Sequence, residues 1–337
     1  MNLKQHIEIM LPEIEKELQD QVARLDTNNT KHFHEMLTYH MGWTGEGAGR
    51  EATGKRIRPL IVLLATASAG EDWKMSLPGA AAVELVHNFS LVHDDVQDNS
   101  EKRRGRPTVW TKWGVPMAIN VGDAMYVIAN QAIIDLEKAH PASTVVKAAT
   151  ILHNTCLELT RGQFLDMSYE ERNDLGLEDY WPMVGGKTSA LLSACTHIGA
   201  LLGNAGDAEQ EAYRQFGYHL GLAFQVQDDI LGIWGDEALT GKSTASDLVE
   251  GKNSMPVLYA LGKPGKFAER WKLGPITPGE VKIVAAQLEE EGGKRYAEEI
   301  SEKETQIALK YLSEANPHGA AGEAMLELAN MLLKRNQ

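Results

Sequence analysis

Apolar residues recur at helical spacing along most of the chain, and nowhere does a period-two alternation with β-branched residues predict a convincing sheet. From about Leu3 to Leu25 the stripe is amphipathic, and the polar stretch DTNNTKHFHE leads into a second helix near residues 36–43. A Gly-rich loop, TGEGAGREATGKR, runs on to Arg58-Pro59 and a long helix carrying LIVLLATASAG. After Pro78 comes LPGAAAVELVHNFSLVHDD, rich in small residues at first, and then a loop over 99–116. MAINVGDAMYVIANQAIIDLEKA reads as a buried helix and VVKAATILHNTCLELTRGQFLDMSYEE as another. A helix start after Pro182 leads into a nearly wholly apolar stretch. EAYRQFGYHLGLAFQVQDDILGIWGDE then ends, like the earlier HDD segment, in paired aspartates. A loop over 237–254 precedes further amphipathic helices. Helices that are apolar all round need other helices about them. No Pro-, Gly- or Ser-rich linker divides the chain, so the expectation is all-α, one large bundle forming a single domain over residues 1–337.

Composition narrows the function. The chain has 337 residues with 43% hydrophobic and 24% charged positions, ordinary for a protein that buries a sizeable core. A formal charge of −14 argues against nucleic acid as a partner, because such binding rests on basic surface. It does not argue against phosphate-bearing substrates, since a local field can oppose the global one. Cys156 and Cys195 lie in apolar helical patterns without metal spacing and read as buried structural thiols. The first residues form an acid-laced amphipathic helix unlike a signal peptide, and no uncharged apolar run reaches membrane-spanning length. The expectation is a cytoplasmic protein without stable membrane insertion.

The candidate chemistry lies in ELVHNFSLVHDDVQDNSEKRRGRPT. Asp94, Asp95 and Asp98 end an apolar run, and Arg103 and Arg104 follow within a few residues. At about 3.6 residues per turn, His87, Asp94 and Asp98 lie close to one stripe. Stacked carboxylates repel unless a cation lies between them; Mg²⁺ takes oxygen ligands and favours a partner phosphate, and arginines clamp anions. A solvated acidic helix end before a basic loop is the plainer reading. Further along, Gln225, Asp228 and Asp229 share a helix face. Lys55, Arg56 and Arg58 come from GKRIRP, Lys187 and Thr188 follow Pro182, and Lys242 and Lys252 follow the second aspartate pair. Taken singly, Lys55 or Arg58 reads as a solvated charge, His87 as a core histidine and Thr188 as a helix-start hydroxyl. Together these groups suit a diphosphate held with magnesium.

Taken in order, GKRIRP, HDDVQD followed by RRGRPT, GGKT, FQVQDDILG and GKSTASDL resemble the trans-isoprenyl diphosphate synthase family over residues 36–262. The resemblance implies an all-α isoprenoid synthase bundle with a deep central apolar cavity, a homodimer, and two aspartate motifs facing each other at the cavity mouth. It implies that Asp94, Asp95, Asp98, Asp228 and Asp229 hold up to three Mg²⁺ on an allylic diphosphate. Arg103, Lys187, Thr188, Gln225, Lys242 and Lys252 would contact that substrate, and Lys55, Arg58, His87 and Arg104 would hold isopentenyl diphosphate without metal. The implied reaction is ionisation of the allylic C–O bond, attack by the isopentenyl double bond and loss of a proton, with pyrophosphate as the base.

Two positions depart from or refine the pattern. The second motif reads DDILG, so Gly232 stands where a third aspartate is usual, leaving open whether Asp236 or water supplies the missing ligand. Lys252 lies in GKNSMP where KKT is usual. Phe89 and Ser90, the fifth and fourth residues before Asp94, resemble the chain-length positions of archaeal-type geranylgeranyl (C20) synthases, although an ideal helical wheel does not place Phe89 beneath the carboxylates. A terpene cyclase of the same fold would need no isopentenyl site. A non-catalytic regulatory subunit would tend to lack the first aspartate motif.

Overall fold

A computed structural model describes residues 1–170, 172–235 and 246–333, which are helical almost throughout. Among the described residues the only strands are Lys102–Arg103 and Arg106–Pro107, an antiparallel pair inside the stretch expected to be loop. The chain folds as two compact units. The first comprises Met1–Asn154, Ala194–Tyr213 and Ala315–Glu327; the second comprises Thr155–Ser193, Arg214–Glu314 and the residues from Leu328 onward.

The first unit is built around the helix Leu77–Gln97, against which Leu3–Val22, Ile57–Ser68 and Val115–Ile134 pack. Residues 79–86 are buried on every side, and the three alanines Ala80, Ala81 and Ala82 let neighbouring helices approach. Beyond them only Asn88, Val92 and Asp95 remain buried, a stripe at helical spacing. The helix thus passes from a wholly buried segment to one with a polar face, leaving Asp94 half-buried and Asp98 exposed. The second helix spans Lys31–His40 and starts earlier than the sequence suggested. Its polar first residues form a partly solvated helical face, which polarity alone made look like a loop.

One internal strut sits beneath the GKRIRP loop. Arg56 is 2% exposed and donates through Nε to Glu15 (2.7 Å), through Nη1 to Glu84 (2.8 Å) and through Nη2 to the Met41 carbonyl (3.2 Å). Asn88 adds a donor to Glu84 at 3.1 Å. Of the three basic residues in this motif, Arg56 is therefore structural, because buried charges must be paired.

The helices Val115–Ile134 and Ala142–Tyr169 are less buried than their apolar patterns suggested. Ile119, Val127 and Ile134 expose 46%, 54% and 48% of their area along one face, and Val146 and Phe164 are also exposed. Apolar spacing reports what a helix can bury, and this chain alone does not cover that face. By length and composition the segment Val115–Lys138 is apolar enough to cross a membrane; it carries Asp123, and 44% of its best window is buried within the protein.

In the second unit a helix starts at Leu177, where Asp179 accepts from the Gly176 amide at 2.9 Å, rather than after Pro182. It continues through a π-helical turn, Gly185–Ser189, into Ala190–Leu202. Tyr180, Met183, Val226, Ile230, Met255 and Leu258 form one core and Ile233, Val257, Phe267 and Leu288 another. The helix Asp207–Trp234 ends just before Gly235, and a short helix, Ser246–Val249, occupies part of the expected 237–254 loop. Cys156 and Cys195 are buried free thiols, as expected; burial pushes them up to about 11 and about 12.

Candidate active site

In the first unit the hairpin decides how the paired arginines are used. Lys102 pairs with Pro107 and Arg103 with Arg106, leaving Arg104 and Gly105 as the turn. Both have positive φ, 51° and 75°, as a two-residue hairpin turn demands and a residue with a side chain rarely supplies. The neighbouring side chains then serve different partners. Arg103 reaches Asp95 Oδ1 through Nε (2.9 Å) and Nη2 (2.8 Å). Arg104 donates to the Ala52 carbonyl at 2.7 Å and lies over Gly54, where a Cβ would meet its Nη2 at 2.6 Å. Glycine at 54 is required by its left-handed backbone, φ 78°, and it leaves the guanidinium room beside the chain. Arg106 anchors the hairpin, donating to the carbonyls of Tyr39, Thr44 and Glu46 and stacking 4.0 Å over the Tyr39 ring.

Around this hairpin positive charge accumulates faster than it is neutralised. Arg58 Nη1 lies 3.2 Å from His87 Nε2. Burial, followed by Arg58, Arg104, Arg103 and His40, holds the His87 imidazole well below its ordinary range. Burial together with Arg103, Arg104 and Arg56 lowers His40 to about 3. Both imidazoles are thus neutral at physiological pH, and His87 accepts the Arg58 hydrogen bond instead of competing with its charge. Three atoms here are buried without a hydrogen-bond partner: Arg58 Nε, His40 Nε2 and Asp95 Oδ2. Buried polar atoms are almost always paired, so such a group of orphans marks space for a ligand. Lys55, at the edge of the same loop, is exposed.

Asp95 itself is 2% exposed, and burial raises its carboxyl, with Asp98 adding to the rise against the pull of Arg103. Asp94 and Asp98 keep more solvent contact. Farther up the same helix Phe89 packs edge-on to His93 (5.6 Å) and tilted against Tyr126 (5.2 Å), while Ser90 donates back to the His87 carbonyl at 2.8 Å.

The second unit holds the other aspartate pair in a hydrogen-bonded chain. Thr188 donates to Gln225 Oε1 at 2.8 Å, and Gln225 Nε2 donates to Asp229 Oδ1 at 3.0 Å. Asp229 Oδ2 accepts from the Tyr180 hydroxyl at 2.8 Å and from the Met255 amide at 2.9 Å. Burial nevertheless pushes Asp229 up to about 7, with Asp247 adding to the rise. Asp228 is half-buried beside it. Lys187, on the π-helical turn, is ion-paired to Asp166, and Gly162 lets that turn approach its neighbouring helix, since a Cβ there would lie 2.1 Å from the Lys187 amide. Lys252 reaches Asp247 at 3.2 Å and Glu250 at 2.7 Å; burial opposes its charge, but these carboxylates outweigh it and raise the ammonium.

The structure therefore brings Arg58, His87, Asp95, Arg103 and Arg104 together in the first unit, and Thr188, Gln225 and Asp229 in the second. Lys242 and Asp236 lie outside the described residues. Among the described residues no three or more His, Cys, Asp or Glu side chains are grouped so as to hold a metal ion by themselves. That is compatible with Mg²⁺, which is commonly held by one or two carboxylates and completed by substrate phosphate and water. The orphaned Asp95 Oδ2 suits such a cation. Sequence reasoning missed His40, Asp166, Tyr180 and Asp247. Only Asp247 lay in a quoted motif, and the others carry no signature beyond residue type.

Two aspartate pairs and a cationic pocket on an all-helical scaffold suit the handling of diphosphates, and comparison with known proteins makes the assignment. The Polyprenyl synthetase family profile matches residues 48–273. The chain is 41% identical over 291 residues to a (2E,6E)-farnesyl diphosphate synthase of Mycobacterium tuberculosis, covering 83% of this chain and 79% of that one. It is 39% identical over 307 residues to a geranylgeranyl diphosphate synthase of the same organism, covering 89% and 86%. A polyprenyl synthetase crystal structure from Streptomyces coelicolor A3(2) superposes with a TM-score of 0.88 at 34% identity, covering 98% of this chain and 100% of that one. The chain belongs to the polyprenyl synthetase family and is a prenyltransferase of isoprenoid biosynthesis with the all-α isoprenoid synthase fold.

Proposed function

We propose that the chain condenses isopentenyl diphosphate with an allylic diphosphate and that its product is geranylgeranyl diphosphate. The observation that carries the reading is the cationic pocket of the first unit, with Arg58 Nε and His40 Nε2 buried and unpartnered among guanidinium groups. An enzyme acting on one allylic diphosphate alone gives this second anion site no purpose. In the proposed roles Lys55, Arg58, His87 and Arg104 hold the isopentenyl diphosphate, with neutral His87 orienting the Arg58 guanidinium. Arg103, Lys187, Thr188, Gln225, Lys242 and Lys252 hold the allylic diphosphate. Asp94, Asp95, Asp98, Asp228 and Asp229 are the proposed Mg²⁺ ligands, up to three ions per site. When bound, Mg²⁺ offsets the charge that develops on the departing pyrophosphate.

The residues then divide the work. The basic side chains stabilise the leaving diphosphate as the allylic C–O bond ionises. In this reading apolar side chains keep water from the carbocation, and Phe89, tilted against Tyr126 at 5.2 Å, is the proposed member of that wall. The isopentenyl clamp aims the double bond at C1, and the released pyrophosphate takes the proton, so no protein nucleophile is required. Support for the C20 product comes from Phe89, whose contacts with Tyr126 and His93 place an aromatic step on the aspartate helix. The whole of residues 1–337 acts as one catalytic domain in this reading, in the cytoplasm. A homodimer is proposed because the exposed apolar row Ile119, Val127 and Ile134 suits a second copy.

Purified protein with Mg²⁺, labelled isopentenyl diphosphate and dimethylallyl, geranyl or farnesyl diphosphate tests the reading. Elongation to C20 is expected. Consumption of an allylic diphosphate without isopentenyl incorporation would replace it with cyclase chemistry, and absence of turnover with every primer would indicate a regulatory subunit.

A further inference from the structure

The three buried, unpartnered atoms of the first unit differ in kind. Arg58 Nε carries a hydrogen and suits a diphosphate oxygen, whereas His40 Nε2 and Asp95 Oδ2 offer lone pairs. His40 and Asp95 line one small cavity of about 20 Å³, and Arg58 lies outside its lining. Arg103 and Arg104 are further polar walls of that cavity, with Leu91 and Val109 among its apolar ones. The state of the His40 ring follows from its neighbours. Burial, then Arg103, Arg104 and Arg56, keep it neutral, so it has one hydrogen to give. Asn88 hydrogen-bonds the ring, and its amide nitrogen already donates to the Glu84 carbonyl (2.8 Å) and carboxylate (3.1 Å). The Asn88 oxygen is therefore the atom that meets the imidazole. It takes the ring's hydrogen and leaves Nε2 as an acceptor.

A group that fits this space must give hydrogens to two acceptors and take one from a guanidinium. Arg103 spends Nε and Nη2 on Asp95 Oδ1, and Arg104 spends Nη1 on the Ala52 carbonyl, so each keeps further N–H groups. A water molecule has the required complement. The size agrees, because one water needs about 10–15 Å³ of such space and usually makes about three hydrogen bonds. Inorganic phosphate is too large and would meet the Asp95 carboxylate. A metal ion would face two guanidinium groups across the cavity.

We infer that this cavity binds one water molecule, which donates to His40 Nε2 and Asp95 Oδ2, and that His40 is thereby a positioning residue for the first aspartate edge. Arg103 holds Asp95 through Oδ1 and the water holds it through Oδ2, so the carboxylate is fixed at both oxygens. A carboxylate oxygen has two lone-pair directions, so the bond from the cavity leaves one for a cation on the other side. His40 ends the helix Lys31–His40 and belongs to none of the motifs, yet it reaches the aspartate helix and the arginine hairpin through this water. The water site stands on geometry alone, and the positioning role rests on the proposed function.

A crystal structure of the unaltered, metal-free protein, at a resolution that orders single waters, tests the site. One water within hydrogen-bonding distance of both His40 Nε2 and Asp95 Oδ2 is expected. No ordered water there, a water that touches only one of the two, or an ion in its place would overturn the inference whatever the protein catalyses. The positioning role is read from calorimetric binding of inorganic pyrophosphate with Mg²⁺ and from the Mg²⁺ concentration for half-maximal turnover. His40→Leu removes an acceptor from the water. It should weaken Mg²⁺-dependent binding by about tenfold, the low end of the usual effect of losing an outer partner of a metal ligand, and raise that Mg²⁺ concentration. His40→Gln keeps an acceptor oxygen and should recover much of the loss. A lowered thermal midpoint in His40→Leu with unaltered Mg²⁺ dependence would make His40 structural only and overturn the role. Absence of Mg²⁺-dependent pyrophosphate binding by the unaltered chain would overturn the proposed function and the positioning role together, with the water site still decided by the crystal structure.

Discussion

Arg103 grips Asp95 through two nitrogens that meet one oxygen, Oδ1, at 2.9 and 2.8 Å, and leaves Oδ2 buried without a partner. A carboxylate of 2% exposure depends on this contact. Arg103→Ala should strand it and cost about 1–3 kcal/mol of stability, as a buried acceptor deprived of its donor does. Arg103→Lys, which cannot reproduce two contacts from one planar group, should recover only part of this. Denaturant melts of both variants measure the difference, and equal stability of Arg103→Ala and wild type would exclude the dependence.

Lys55 and Arg56 are neighbours in sequence with opposite expected phenotypes. Arg56→Met removes the cation shared by Glu15 and Glu84 and should destabilise the fold by about 3–5 kcal/mol, the usual cost of breaking a buried pair from one side. Lys55→Ala, at an exposed position, should leave the thermal midpoint nearly unchanged and raise the KM for isopentenyl diphosphate. Scanning calorimetry with steady-state kinetics separates the two.

The imidazoles make stability fall in acid. Unfolded histidine titrates near 6.5, whereas folded His40 is lowered to about 3 and His87 well below 6.5, by burial and then by the surrounding cations. Between these values the unfolded chain binds more protons, so the contribution is complete above about 6.5 and is lost as pH falls toward 3. His40→Gln should flatten the fall in denaturant midpoint measured from about pH 7 to about pH 4, and an unaltered slope would rule His40 out as a source.

Product length should respond at Phe89 and at its contact Tyr126. Phe89→Ala should shift the distribution toward chains longer than the unaltered protein makes, and Tyr126→Ala should shift it in the same direction by removing the ring against which Phe89 packs. Chromatography of the dephosphorylated products reports the shift. An unchanged distribution for Phe89→Ala would detach the aromatic step from chain length.

Residue type and order made the family and the candidate motifs legible. The paired aspartates, RRGRPT and GKRIRP each require particular side chains, and the helical pattern around them was strong. Tertiary partners were not legible. Nothing in the sequence marks Asp95 and Asp229 as the more buried members of their pairs, because burial comes from Arg103 across a hairpin and from Tyr180, Met255 and Gln225. Arg56 looked like a ligand clamp because its motif is basic, but Glu15 and Glu84 claim it from separate helices. The two-residue strands escaped notice because they are shorter than any alternation that can be read.

The fit of Arg104 over Gly54 has a consequence for protein engineering by gene recombination. The two residues lie in separate motifs, but one supplies a hole and the other the group that fills it. A crossover placed between them joins an arginine loop from one parent to a glycine loop from another, and keeps the Arg104–Ala52 hydrogen bond where both parents share this fit. Chimeras that inherit residues 50–107 as one block keep the pair matched, so the useful breakpoints lie outside that block, although it is easily divided on paper.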